Sequence, residues 1–260
     1  MTCSNRAAHQ EYTLQLTVIG HIHTPFKEKF GIPRQPGLAP AAKGVITLQP
    51  AYNDINAFRG IDAFSHLWLM FQFHQVESGK WRPLVRPPRL GGNEKIGVFA
   101  TRSTHRPSNL GLSVVKLESV SMHKGQVTIR VSGVDLLDGT PIIDIKPYIA
   151  YTDSIAETQN GFAADAPIAL PVVFSPTAQT QLLPILANLP HFQALIEQTL
   201  CYQPAPAYHQ HANQAAQVPD SSASVAETKP LREYGVLLYN YNVIWTQNHQ
   251  ITVERIELAQ

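Results

Sequence analysis

Four segments gather the residues that could do chemistry: Ile32-Pro33-Arg34-Gln35-Pro36-Gly37, Arg86-Pro87-Pro88-Arg89-Leu90-Gly91-Gly92, Thr101-Arg102-Ser103-Thr104-His105-Arg106-Pro107 and Asp135-Leu136-Leu137-Asp138-Gly139-Thr140-Pro141. Proline fixes φ and glycine permits close backbone approach, so such loops hold polar groups in one geometry beside a ligand. Taken singly, each reads more readily as a tight turn whose Arg and Asp pair with one another. Four of them within one half of the chain favour a site.

Charge points to the same half. The net +1 divides into 17 Lys/Arg against 10 Asp/Glu in residues 1–150 and 3 against 9 in residues 151–260, so the two parts carry +7 and −6. Between Lys80 and Arg106 stand seven cations (Lys80, Arg82, Arg86, Arg89, Lys95, Arg102, Arg106) and one anion, Glu94. This is a candidate phosphate-contacting face, with a solvated basic loop as the alternative.

Other chemistries find little support. The 15 glycines include no pair spaced G-x-G, so the dinucleotide fingerprint cannot be written anywhere. His21 and His23, like His209 and His211, lie two apart, but two ligands do not make a site and no metal is expected. Cys3 and Cys201 are far apart with no CxxC spacing, which suits a reducing, cytoplasmic home. Residues 1–11 lack an apolar signal region, and no uncharged apolar run of about 18 residues follows, so no membrane span is expected.

The elements that position these loops are β-like runs: Leu14–Ile22, Gly44–Leu48, His66–Phe73, Ile96–Ala100, Leu112–Met122, Val127–Val131 and Ile142–Ile145. Without crossover helices they cannot easily be parallel neighbours, so the spacing predicts a mainly β protein with a small antiparallel barrel. His123-Lys124-Gly125 predicts a hairpin turn, and Asp138-Gly139 another turn. A short helix over Ala51–Phe58 is expected as a lid. Beyond a connector at 151–176, residues 177–200 predict two helical pieces divided at Pro184 and Pro190. Residues 212–229 read as a polar linker, and Tyr234–Trp245 with Gln250–Leu258 predict a closing hairpin around Asn248-His249. The division expected is a barrel over 1–165 and a C-terminal α+β unit over 166–260.

Ile19-Gly20, Phe30 to Gly37, Phe64-Ser65-His66-Leu67-Trp68, Trp81 to Arg106 and Asp135 to Tyr148 together resemble the TsaA-like, or YaeB-like, family, which includes the TrmO-type tRNA methyltransferases. The resemblance is continuous over roughly residues 15–150 and weaker through Pro204 to Trp245. It implies a β-barrel, a homodimer, and S-adenosyl-L-methionine-dependent methylation of the exocyclic nitrogen of threonylcarbamoyladenosine, next to the anticodon of threonine tRNA. Val236–Leu238 or the barrel loops would supply the dimer interface.

Carried over by motif, the resemblance implies cofactor contacts at Pro33-Arg34-Gln35, His74-Gln75, Arg102, Leu112 and Asp135-Leu136-Leu137-Asp138, with His66 a further candidate. Asp135 and Asp138 suit ribose hydroxyls or the sulfonium charge, while Asp138 also suits a turn before Gly139. The acceptor nitrogen adjoins a carbonyl and is a poor nucleophile, so a base or a polarising cation is needed; His105, Arg106, Asp144, Lys146 and Tyr148 are candidates. Arg34, Arg86, Arg89 and Arg106 suit RNA phosphate or the threonyl carboxylate, and Trp68, Trp81 or Tyr148 suit base stacking.

Two positions depart from the family pattern. Ser108-Asn109-Leu110-Gly111 replaces the usual Asn-Pro-Ile-Gly, with Asn109 able to keep the turn, and Gln203-Pro204-Ala205-Pro206-Ala207-Tyr208 lacks the usual acid and arginine. The same fold with another methyl acceptor, and a non-catalytic module binding S-adenosylmethionine or RNA, are the alternatives.

Overall fold

Strict two-residue alternation of burial builds the first half of the molecule. A computed structural model describes residues 14–76, 81–202 and 232–259. In chain order the first strands are β1 (Gly20–His23), β2 (Lys43–Leu48), β3 (His66–Gln72), β4 (Leu84–Val85), β5 (Ile96–Gly97), β6 (Leu110–His123), β7 (Gln126–Ser132) and β8 (Thr140–Pro147). Ile46 and Leu48, then Leu67, Leu69 and Phe71, then Val127, Ile129 and Val131 point inward, with outward residues between them.

Six strands close into an antiparallel barrel in the order β1-β2-β7-β6-β3-β8, β8 pairing back to β1 through Gly20↔Ile142. Closure leaves no exposed edge on this sheet. Lys124 and Gly125, both at positive φ, make the expected hairpin turn between β6 and β7.

Three N-terminal expectations are corrected. Strand pairing starts at Gly20 rather than Leu14. The run Ile96–Ala100 is not a barrel strand: β5 pairs only with β4 in a separate two-stranded ribbon, and Val98–Ala100 is a 3-10 turn. The helix over Ala51–Phe58 is replaced by two 3-10 turns, Pro50–Tyr52 and Ile55–Phe58. The reason is tertiary: between the turns Asn53 donates to Gly125 O (2.6 Å) and accepts from Val127 N (2.8 Å).

The second half contributes α1 (Ala150–Asp153), β9 (Val172–Phe174), α2 (Pro176–Leu186), α3 (Phe192–Leu200), β10 (Glu233–Leu238), β11 (Tyr241–Gln247) and β12 (Ile251–Leu258). Its sheet runs β10-β11-β12-β9, with β9 parallel to β12 and the rest antiparallel. Ser175 caps α2 by accepting from Ala178 N.

Two predictions fail in detail here. Pro184 lies inside α2 and does not break it; only its own N–H is lost, and the helix ends at Leu186, before Pro190. The run Tyr234–Trp245 is two strands turning at Tyr239, whose φ is +55°. The linker at 212–229, the departure at 203–208 and His209 and His211 lie outside the described residues, as does Lys80.

The two halves share one core. The segment 24–42, between β1 and β2, is held by both. Tyr239 N donates to Pro25 O (2.7 Å), Leu237 N to Glu28 Oε1 (3.0 Å) and Ala41 N to Gln198 Oε1 (2.7 Å). Phe30 stacks on the fully buried Trp245 with centroids 6.0 Å apart. Gly31, at φ +85°, sits so close that a Cβ would lie 2.3 Å from Val236 Cγ2. Val236 and Leu238 are completely buried in this junction, so they are not available as the dimer surface the sequence suggested.

Candidate active site

β1, β3 and β7 end, and β2, β6 and β8 begin, at the same rim of the barrel. The Pro/Gly-rich loops therefore converge there. They enclose a cavity of about 790 Å³, within the range usual for a cofactor or small ligand.

One wall is Lys29 with Ile32 to Pro36, including Pro33, Arg34 and Gln35. The end of β3 adds Phe71, Phe73, His74 and Gln75; the start of β6 adds Leu110 to Ser113, with Leu112 among them; the approach to β8 adds Asp135, Leu136, Leu137 and Thr140. The facing wall is an arm over residues 81–109 that supplies Arg82, Thr101, Arg102, Thr104, His105 and Arg106. Gly111 is required by close packing: a Cβ there would lie 2.3 Å from the Phe71 ring.

Polar contacts tie the walls together. Arg102 Nη1 donates to Gln35 Oε1 (2.5 Å), and Lys29 Nζ to Gln75 O (2.6 Å). His74 lies with Nδ1 3.5 Å from Thr140 Oγ1, its pKa held low by desolvation and by His21 and Lys29.

The two carboxylates of the fourth loop differ. Burial pushes Asp135 up to about 6, with Ser113 and Arg102 pulling the other way, and its Oδ1 is buried without a partner. A buried, unpaired acceptor on a cavity wall is costly in isolation and suits a cationic or hydrogen-bonding ligand. Asp138 is spent on structure: it accepts from Thr24 N (2.8 Å) and Lys27 Nζ (2.7 Å), which hold its pKa low although burial opposes them. It joins the β1 loop to the start of β8 and does not line the cavity.

In the arm, Arg106 Nη1 donates to Thr101 O (2.7 Å) and Val98 O (3.2 Å). Asn109, buried and at φ +49°, makes a turn here in a left-handed backbone that proline cannot adopt, so this turn is not the one the family's proline makes. Its N–H donates to Arg106 O, and its carbonyl accepts from Phe73 N.

Several residues named from sequence lie elsewhere. His66 and Tyr148 are at the opposite rim, edge to face at 6.4 Å. Asp144 and Lys146 form an exposed ion pair (3.3 Å) on β8. Arg86 is on the arm but outside the cavity wall, and Arg89 Nη2 donates to Asp165 O. Trp68 lines the cavity, its indole fixed to Asp153 Oδ2 (2.9 Å). Sequence reasoning gave no site role to Lys29, Phe71, Arg82, Ser113 or Thr140. Of these Arg82 carried a signal as one cation of the basic run and Thr140 as a member of the fourth loop.

Among the described residues no group of three or more His, Cys, Asp or Glu could hold a metal ion, and no helix is long and apolar enough to cross a membrane.

Comparison with known proteins covers nearly the whole chain. The family model for the tRNA-methyltransferase O N-terminal domain matches residues 21–154, and that for the TrmO C-terminal domain matches residues 167–259. A tRNA (adenine(37)-N6)-methyltransferase of Escherichia coli K12 is 42% identical over 90% of this chain and 93% of its own length. A putative S-adenosylmethionine-dependent methyltransferase, RcsF, of Pseudomonas aeruginosa PAO1 is 44% identical over 90% and 92%. A crystal structure of TrmO from Pseudomonas aeruginosa superposes with a TM-score of 0.72 at 37% identity, covering 94% of this chain and 98% of that one. With both family domains matched in order and a full-length relative well above 30% identity, the chain belongs to the tRNA-methyltransferase O family.

Proposed function

We propose that this enzyme, an S-adenosylmethionine-dependent tRNA methyltransferase, methylates the exocyclic nitrogen of threonylcarbamoyladenosine at position 37 of threonine tRNA, as a cytoplasmic homodimer. The observation that carries the reading is the cavity closed by both the cofactor-type loops and the basic arm, with Asp135 Oδ1 buried and unpartnered in its wall.

The residues present fit the cofactor. An acceptor with no protein partner favours a cation or a donor beside it, and the adjoining Leu136, Leu137, Phe71 and Phe73 offer apolar contact. Pro33, Arg34, Gln35, His74, Gln75, Arg102 and Leu112 would complete the binding surface. When bound, S-adenosylmethionine supplies an electrophilic methyl group on a sulfonium.

The chain's own groups then orient the acceptor and move its proton. Of the candidates for that task, only His105 and Arg106 line the cavity; Asp144, Lys146 and Tyr148 do not. His105 takes the proton from the acceptor nitrogen, and the guanidinium of Arg106 polarises the adjoining carbonyl. Arg86 and Arg89, outside the cavity on the same arm, serve RNA phosphate.

Purified protein should add one methyl group to threonylcarbamoylated threonine tRNA and none to the unmodified transcript. Nucleoside mass spectrometry of a deletion strain decides the acceptor: methylated threonylcarbamoyladenosine at its normal level would reject this substrate in favour of another. Light scattering that gives a monomer would reject the homodimer.

A further inference from the structure

A second hollow, of about 300 Å³, opens beside the main cavity and shares Arg106 and Leu110 with it. Phe99 forms its wall, with Pro107 and Ser108 completing it. Phe99 is 71% exposed, although a phenyl ring gains by burial. Trp81, 47% exposed, lies alongside with ring centroids 6.4 Å apart and planes inclined by 23°. The Arg106 guanidinium stands over the Phe99 ring, 5.6 Å from its centroid.

This arrangement is held in place before any partner arrives. Phe99 is the middle residue of the 3-10 turn Val98–Ala100, whose first residue is buried. That turn is fixed by Val98 N donating to Pro83 O (2.9 Å) and by the Arg106 bond to Val98 O. The ring is thus presented to solvent by an ordered turn with a cation at its face.

We propose that the Phe99–Trp81–Arg106 surface is a stacking site for the unpaired nucleobase adjacent to the target adenosine. Aromatic rings flanked by guanidinium groups bind single-stranded bases by their π-faces, with little dependence on base identity. A nucleic-acid occupant is favoured over an apolar protein partner by charge, since Arg82, Arg102 and Arg106 lie in the adjoining wall. A hollow that shares Arg106 and Leu110 with the cavity suits the nucleotide next to the one whose base enters the cavity. This inference rests on the tRNA reading above.

Its test reads binding rather than turnover. An unmodified, fluorescently labelled anticodon stem-loop of threonine tRNA is titrated with the full chain at fixed salt. Phe99→Ala should weaken binding about 5- to 150-fold, while Phe99→Trp stays near the unmutated protein. S-adenosylmethionine affinity, by calorimetry, should be the same in all three. A stem-loop made abasic at the nucleotide 5′ or 3′ to the target should, at one of those positions, lower wild-type binding by the same factor and lower Phe99→Ala binding no further.

Losses that multiply, or an unchanged affinity for Phe99→Ala, would overturn the stacking site. So would a shift of oligomeric state in Phe99→Ala by light scattering, which would make the surface a contact between copies. Phe99-dependent RNA binding by a protein that fails to methylate the modified tRNA would sink the proposed substrate and leave the stacking site standing.

Discussion

The two walls of the cavity are built in opposite ways. The 24–42 segment is held by the barrel, through Thr24 and Lys27 to Asp138, and also by the C-terminal sheet and helices: Leu237 N donates to Glu28, Tyr239 N to Pro25 and Ala41 N to Gln198, with Trp245 against Phe30 and Val236 against Gly31. The 81–109 arm is held largely by itself, through the β4–β5 ribbon, Arg82 N to His105 O, and Arg106 to Val98 and Thr101. A wall locked into two cores suits a ligand whose position must not vary. A wall that folds on local bonds and exposes rings and cations suits a larger, more variable partner.

The sharpest way to break this contrast is Gly31→Ala. The new Cβ would collide with Val236 at 2.3 Å in a left-handed backbone, so a loss of about 2–4 kcal/mol in denaturant stability is expected. Cofactor affinity should fall with it. Adding Val236→Ala should restore the steric share and leave the backbone share. A Gly31→Ala protein with normal stability and cofactor binding would show that the wall is not pinned there.

Asp135→Asn comes next. The wild-type carboxyl, raised to about 6, gains its charge as pH rises through that value, so cofactor affinity should strengthen between pH 5 and 7. In the variant this step should vanish, with affinity at pH 7.5 lower by about 10- to 100-fold. Stability should move the other way. A raised acid favours the fold fully below its unfolded value and loses that contribution as pH rises to about 6, so near neutrality the variant should be more stable, by up to about 2 kcal/mol. Calorimetry and thermal melts across that range read both signs.

On the arm, Arg86→Ala should weaken stem-loop binding several-fold and reduce the slope of log K against log salt by about 0.7–0.9. Its cofactor affinity should not change; if it does, the walls are not independent. The smallest effect belongs to Glu28→Ala, which removes one exposed acceptor from Leu237 N. A loss of about 0.5–1.5 kcal/mol in stability is expected, together with faster amide exchange at Leu237.

What could be read in the sequence follows the same division. Barrel strands such as β2, β3 and β7 were legible because inward and outward residues alternate without interruption. The arm and the Asp135 loop were legible because proline, glycine and charge cluster within a few residues. Positions whose role depends on closure carried no mark: Ser113 is one inward residue of β6, and Lys29 lines the cavity beside Gln75, a partner 46 positions away in the chain. The Ala51–Phe58 helix failed because Asn53 gives its side chain to the β6–β7 hairpin. Asp138 read as a ligand because its pairing with Lys27, far away in sequence, cannot be seen in a local motif. The turn at Tyr239 was hidden because Tyr and Asn alternate from Tyr239 to Asn242 as they would along one continuous strand.

The bond from Leu237 to Glu28 spans 209 positions of the chain. During synthesis, the first wall of the cavity is therefore complete only when almost the last strands have emerged. A chain interrupted before β10 would carry every loop of the barrel and still lack the partners of residues 25, 28, 30 and 31. By linkage, a ligand that needs that wall should also slow the detachment of the C-terminal sheet. Cofactor saturation should then protect residues 233–258 from proteolysis as well as the barrel.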